Sequence, residues 1–235
     1  MYINDIESHF ITENCPSVEL KELNLFVLMF ADDTVIFANS PDELQIMLNS
    51  LHTYVSSWNL TVNAAKTKVL VFRKGGSCKL SWTYNNEILQ QVDSFHYLGL
   101  CLNYNGKFNV TQKKIADQGR KALFCLNPKI QHFEFNTETR CQLFDIYVES
   151  VISYGSEIWG FHKSPDLERL HLLFCKHVLG VRRNVCNYVI YSELGRCLLI
   201  IQRKLKIMKY WCKLLKVENC TLKSSYEYLR LDVEN

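Results

Sequence analysis

Two adjacent acids, Asp32 and Asp33, stand between the apolar runs "LFVLMF" (25–30) and "TVIFA" (34–38). Each run is short enough to be a strand, and the pair marks the turn between them. One Asp suffices to satisfy the backbone N–H groups of a tight turn, and a second adjacent carboxylate repels the first. Hard oxygen ligands on a rigid strand-turn-strand are, however, what holds Mg²⁺ beside phosphates. Two such ions can clamp the attacking and leaving oxygens of an in-line phosphoryl transfer. The structural alternative is an Asp-stabilised turn.

The elements that would position this pair are legible nearby. "SPDELQIMLNSLHTYVSSWN" (40–59) opens as a helix: Ser40 can cap it, Pro41 suits the first turn, and Asp42 and Glu43 suit the positive end of the dipole. Leu44, Met47, Leu48, Leu51, Val55 and Trp58 recur at helical spacing and predict one buried face. "KVLVF" (68–72) predicts a strand ended by Gly75 and Gly76. "KLSWTYNNEILQQV" predicts a hairpin turning at Asn85 and Asn86, and "FHYLGLCL" (95–102) one further strand. From Gly106 the pattern becomes helical, with helices expected near 110–126, 138–154, 166–179 and 197–217 and a shorter one near 187–195. The expected fold class is therefore α+β: a small antiparallel sheet with helices over 1–103, followed by an all-α region over 104–235.

The chain has 235 residues, 48% of them hydrophobic, with few Gly and Pro to break it, which is the profile of an ordered globular protein. No apolar stretch reaches membrane-spanning length and the acidic start lacks a signal-peptide pattern, so an intracellular, soluble protein is expected. The ten cysteines form no C-x-x-C pair and sit mostly among apolar neighbours, which predicts buried, reduced thiols. His171, Cys175 and His177 lie close together, but only the first two share a helix face, and zinc is not expected there. Residues 1–103 carry six Lys/Arg against eleven Asp/Glu, and residues 104–235 twenty-one against thirteen. An acidic front and a basic rear fit a metal-using site beside a polyanion-binding module, or two unevenly charged solvated surfaces.

"FADD" between two apolar strands resembles the catalytic hairpin of reverse transcriptases, in particular those of non-LTR (LINE, jockey-like) retrotransposons, with Phe30 in place of the family's usual tyrosine. The resemblance continues along the chain. "YINDI" (2–6) is similar to the tail of the helix before the hairpin, and "WNLTVNAAKTKVLVF" (58–72) to the segment that returns to the palm sheet through a K-T-K turn. "FHYLGLCL" resembles the primer-grip strand. "SYGSEIWG" (153–160), "FCKHVLGV" (174–181) and "YSELGRCLL" (191–199) resemble the thumb and the helical extension beyond it.

That resemblance implies an RNA-directed DNA polymerase, a nucleotidyltransferase of a mobile element, using Mg²⁺ on an RNA template and a DNA primer. It makes Asp32 the metal ligand and Asp33 its supporting partner. It places Lys66 or Lys68 near the incoming nucleotide's phosphates, and Tyr97, Leu98 and Gly99 in the primer grip. Either lysine could instead be an exposed turn cation, and Gly99 could simply allow close backbone approach. The family's other metal-binding aspartate and its fingers lie upstream of this stretch. The expectation is a partial palm with thumb and extension, inactive alone, with the upstream palm and fingers segment as a partner and the hairpin 25–38 left with an unpaired edge.

An alternative reading is a nucleic-acid-binding module, or a host-reused remnant without catalysis. "LLIIQRKLKIMKYWCKLLK" (198–216) carries Arg203, Lys204, Lys206, Lys209, Lys213 and Lys216, with Leu198, Ile201, Leu205, Met208, Trp211 and Leu215 among its apolar residues. Clustered cations neutralise phosphates without reading sequence. A core-packed helix with a solvated outer face is the alternative, and no membrane partner is expected.

Overall fold

A computed structural model describes residues 5–20, 23–76 and 78–216, together with Leu222. The described chain is mixed α and β and divides into two compact units, residues 5–95 with 214–216 and residues 96–213. Residue 103, the boundary expected from the sequence, ends a strand pair in which Leu100 and Cys101 are buried and Thr111 donates its hydroxyl to the Cys101 carbonyl at 2.5 Å.

The front unit begins with α1 (Ile6–Thr12) and a hairpin of β1 (Val18–Leu20) and β2 (Leu23–Leu25). β3 (Val27–Phe30) and β4 (Asp33–Ile36) form a second two-stranded antiparallel sheet, its ladder extended by Phe37 N–H donating to Phe26 O at 3.1 Å. The run 25–30 is thus divided at Phe26, whose buried ring ends one pairing and begins the next. Among the described residues no third strand joins β3–β4, and Leu28 and Phe30 on β3 are exposed.

α2 (Pro41–Ser57) forms as its N-terminal residues dictate. Ser40 Oγ accepts from Glu43 N–H at 3.2 Å, and Glu43 returns a carboxylate to Asn39 N–H at 2.9 Å. The helix buries Met47, Leu48, Leu51, Tyr54 and Val55, whereas Trp58 at its C-cap is exposed. It also closes the edge of the neighbouring sheet. The Gln45 amide exchanges two hydrogen bonds with Thr83 (2.8 and 2.9 Å), and Trp82 Nε1 donates to Pro41 O.

β5 (Lys68–Leu70), β6 (Trp82–Tyr84) and β7 (Glu87–Val92) make the three-stranded sheet. β6 and β7 turn through Asn85 and Asn86, both left-handed as a two-residue hairpin requires (φ 47° and 63°). β5 pairs with β7 in parallel, so this sheet is mixed where an antiparallel one was expected.

In the helical unit, residues 95–102 form a hairpin where a single strand was expected. β8 (Ser94–Tyr97) and β9 (Leu100–Asn103) turn through Leu98 and Gly99, with φ of 45° and 78°. The helices follow in the expected order: α3 (Asn109–His132), α4 (Thr137–Phe144), α5 (Ser150–Ile152), α6 (Ser156–Trp159), α7 (Pro165–Val178), α8 (Asn187–Glu193) and α9 (Leu199–Leu214). α3 continues through Pro128, and a π-helical turn (Asp145–Glu149) joins α4 to α5. Gly119 of α3 lets the helices cross closely: a Cβ there would lie 2.2 Å from Ile152 Cγ2 and 2.8 Å from Leu170 Cδ2. One core of Phe144, Val148, Trp159, Leu167, Phe174 and their neighbours holds the unit together.

Candidate active site

The β3–β4 turn consists of Ala31 and Asp32, with Phe30 opposite Asp33. Ala31 adopts φ 55°, a left-handed conformation rare for a residue with a Cβ and concentrated at functional turns. The reversal places the two acids differently: Asp32 occupies the turn itself, and Asp33 is the first residue of β4. Both are exposed, and among the described residues neither carboxylate has a hydrogen bond or ion pair. Among the described residues, none uses these charges to hold the turn. The Asp-stabilised turn therefore lacks the hydrogen bonds that would define it.

Two exposed carboxylates suit a hard divalent cation, but they are a partial donor set. No cluster of three or more His, Cys, Asp or Glu occurs among the described residues. Asp5 is committed elsewhere: it accepts a 2.5 Å hydrogen bond from the Tyr54 hydroxyl in a cleft of about 470 Å³ between α1 and α2. Burial first, and the Asp5 bond next, push the Tyr54 phenol up to about 12. Asp5 also precedes α1, whose helix runs on to Thr12; residues 2–4 of "YINDI" lie outside the described residues.

The two lysines of the K-T-K turn separate. The turn is closed by Asn63, whose side chain accepts from Lys66 N–H at 3.1 Å and whose carbonyl accepts from the Thr67 hydroxyl at 2.9 Å. Lys68 folds its ammonium back onto Ala65 O at 2.7 Å, while Lys66 is exposed. Lys66 is thus the one of the two whose ammonium has no role in this turn. The turn of the primer-grip-like segment is seated by Tyr154: its hydroxyl donates to Leu98 O at 2.9 Å, and a Cβ on Gly99 would lie 2.9 Å from its ring. Sequence pattern alone does not single out Tyr154; its one signal is its place in "SYGSEIWG".

The basic helix α9 differs most from expectation. Arg203 is 3% exposed, lies over the Trp159 ring at 5.7 Å and pairs with Glu168 at 3.5 Å. Lys206 donates to Ser153 Oγ at 2.5 Å. These two cations attach α9 to the unit and are not free for phosphate; Lys204, Lys209, Lys213 and Lys216 are exposed. Trp211 is a half-exposed residue of the same helix.

Other polar groups have structural partners. His171 is buried, stacked on Phe144, and its Nε2 accepts from Arg196 Nε at 2.9 Å. Burial first, then Arg196, push it down to about 3. Burial pushes the neighbouring Cys175 thiol up to about 12, and His177 is exposed. Nine described cysteines are free, and Cys125, Cys186, Cys197 and Cys212 are exposed, so burial holds for Cys15, Cys101 and Cys175 only. No described helix is long and apolar enough to cross a membrane.

The front unit combines an acid-bearing hairpin, a capped helix and a small mixed sheet, and residues 1–102 match the family described as reverse transcriptase (RNA-dependent DNA polymerase). Together with two relatives from mobile elements, this match supports a fragment of a non-LTR retrotransposon reverse transcriptase. It is 34% identical over 164 residues to a transposon-derived protein of Caenorhabditis elegans, an alignment covering 67% of this chain and 58% of that protein. It is 20% identical over 164 residues to the RNA-directed DNA polymerase from mobile element jockey of Drosophila funebris, covering 67% of this chain and 18% of that protein. The chain thus spans less than two thirds of either relative.

Proposed function

We propose that β3–β4 is the acid-bearing part of an RNA-directed DNA polymerase centre, with Asp32 at the reacting phosphates and Asp33 supporting it. The observation that carries this reading is the exposed acid pair on a left-handed turn, with neither carboxylate bonded to the fold among the described residues. Lys66 stands as the candidate phosphate contact of the K-T-K turn, and Tyr97, Leu98 and Gly99 as the primer-facing turn seated by Tyr154. The RNA template and DNA primer are the polyanionic partners, met by exposed cations of the helical unit.

Mg²⁺ is the cation the family implies. Asp32 and Asp33 alone do not complete its usual six-oxygen shell, so catalysis needs a further carboxylate beyond the described set. The 235-residue chain by itself is accordingly inactive in this reading, and the upstream palm and fingers segment is its working partner. The test is primer extension on an RNA template with Mg²⁺, using the purified chain and a chimaera joining it to the preceding segment of a jockey-type polymerase. Extension by the chimaera and none by the chain is expected. Extension by the chain alone, lost on Asp32→Asn, would place the missing ligand within these 235 residues and overturn the reading.

A further inference from the structure

α9 is amphipathic and packs on the helical unit through Leu199, Arg203 and Lys206. Leu199 and Arg203 are each 3% exposed, and the Glu168 carboxylate receives the backbone N–H groups of Leu199 (3.1 Å) and Ile200 (2.8 Å) as a cap. With Lys206 on Ser153 and Arg203 over Trp159, these bonds fix the rotation of the helix about its own axis. The opposite face is apolar. Ile201, Leu205 and Met208 are 45%, 52% and 58% exposed, Cys212 is exposed one turn further on, and Leu215, just past the helix end, is 58% exposed.

Their spacing is four, three, four, three, the alternation of the core positions of a two-helix seam. A stripe this narrow fits one facing helix; a helix lying in a bilayer surface presents a broader apolar side. Charge narrows the occupant further. Lys204, Lys209 and Lys216 flank the stripe, and the sequence from 196 to 217 contains no Asp or Glu. A second copy of α9 would set lysine against lysine across the seam in either orientation. A facing helix with acidic flanks would pair with them.

We propose that the outer face of α9 is a docking surface for an amphipathic helix of a partner protein whose apolar stripe is flanked by Glu or Asp. The partner helix buries its apolar residues on Leu205 and Met208 and sets its acids against Lys204 and Lys209. This occupant and the nucleic acid of the polymerase reading would compete for Lys204 and Lys209, and the proposal assigns those two lysines to the partner helix.

The test uses the full chain and a fluorescent peptide of about four heptads with Leu at the seam positions and Glu at the flanks, read by anisotropy. A control peptide carries Lys at the flanks. Binding of the Glu peptide, weakened at least about tenfold by Leu205→Glu with Met208→Glu, supports the proposal. Both positions are solvent-facing, and unchanged circular dichroism verifies that the variant folds. Lys204→Glu with Lys209→Glu should reverse the preference between the peptides. Equal binding of both peptides, or no effect of the stripe variant, would overturn the proposal. So would sedimentation as a dimer with a Cys212–Cys212 crosslink, which assigns the stripe to a second copy. Displacement of the peptide by single-stranded RNA, or binding to phosphatidylserine vesicles that Leu205→Glu abolishes, would assign it to another class and equally overturn it.

Discussion

Charges in the two units are placed on opposite principles. In the helical unit the buried ones are partnered: Arg196 lies against Asp145, Glu149 and His171, Arg203 against Glu168 and Trp159, and Lys176 donates to the carbonyls of Arg183 (2.6 Å) and Val185 (2.9 Å). In the front unit, Asp32 and Asp33 stand exposed on a two-stranded hairpin with no such bond among the described residues. Burial obliges a charge to find a partner, because an unpaired buried ion costs several kcal/mol. Exposure leaves a charge available to a ligand. A basic residue in a helical sequence is therefore weak evidence for nucleic-acid binding until its burial is known.

Breaking the buried network should have the largest effect. Arg196→Ala leaves Glu149 and the Nε2 of His171 without their cation, and should cost about 3–5 kcal/mol, read by urea unfolding followed through the helical signal. A loss well under about 1 kcal/mol would put Arg196 in the same category as the exposed acids. Packing is the next sharpening. Gly119→Ala inserts a methyl group against Ile152 and Leu170 and should cost about 1–3 kcal/mol in the same measurement.

For the front unit the sharpest probe is the cap of α2. Ser40→Ala removes the acceptor of Glu43 N–H and should cost about 1 kcal/mol, with Ser40→Asp recovering most of it. A separate effect is a pH dependence. Burial first, then Asp145, raise the Glu149 carboxyl from 4.5 to about 7. The folded state thus holds this proton more tightly than the unfolded chain, and stability from this group is greatest below the unfolded value and is lost as pH rises through the folded one. Glu149→Gln should therefore gain melting temperature relative to the parent between about pH 5 and pH 8. A gap that is flat or narrows over that range would contradict the assignment.

Much of the architecture was legible because local chemistry and tertiary packing agree. Ser40 and Glu43 cap α2, Asn85 and Asn86 turn β6 into β7, and α7 begins at Pro165. The hairpin at 95–102 was missed because "FHYLGLCL" reads as one apolar run, and Leu98 with positive φ carries no turn signature. The parallel pairing of β5 with β7 leaves no local mark, since it is set by how distant segments meet. The hairpin turn that carries Asp32 and Asp33 was legible from its apolar flanks. The division of the α9 cations was not, because Arg203 and Lys204 are neighbours in sequence and differ only in which side of the helix meets Trp159 and Glu168. The helix expected near 110–126 runs further than that, through Pro128 to His132.

The claim that Asp32 serves chemistry rather than the fold is tested most directly by one paired measurement on Asp32→Asn in the chimaeric polymerase. The substitution keeps the shape of the side chain and removes its negative charge. Primer extension should fall on the order of a thousandfold or more, with Asp33→Asn losing less, while the melting temperature stays that of the parent. Retained extension, or a loss of activity matched by a loss of stability, would contradict the account.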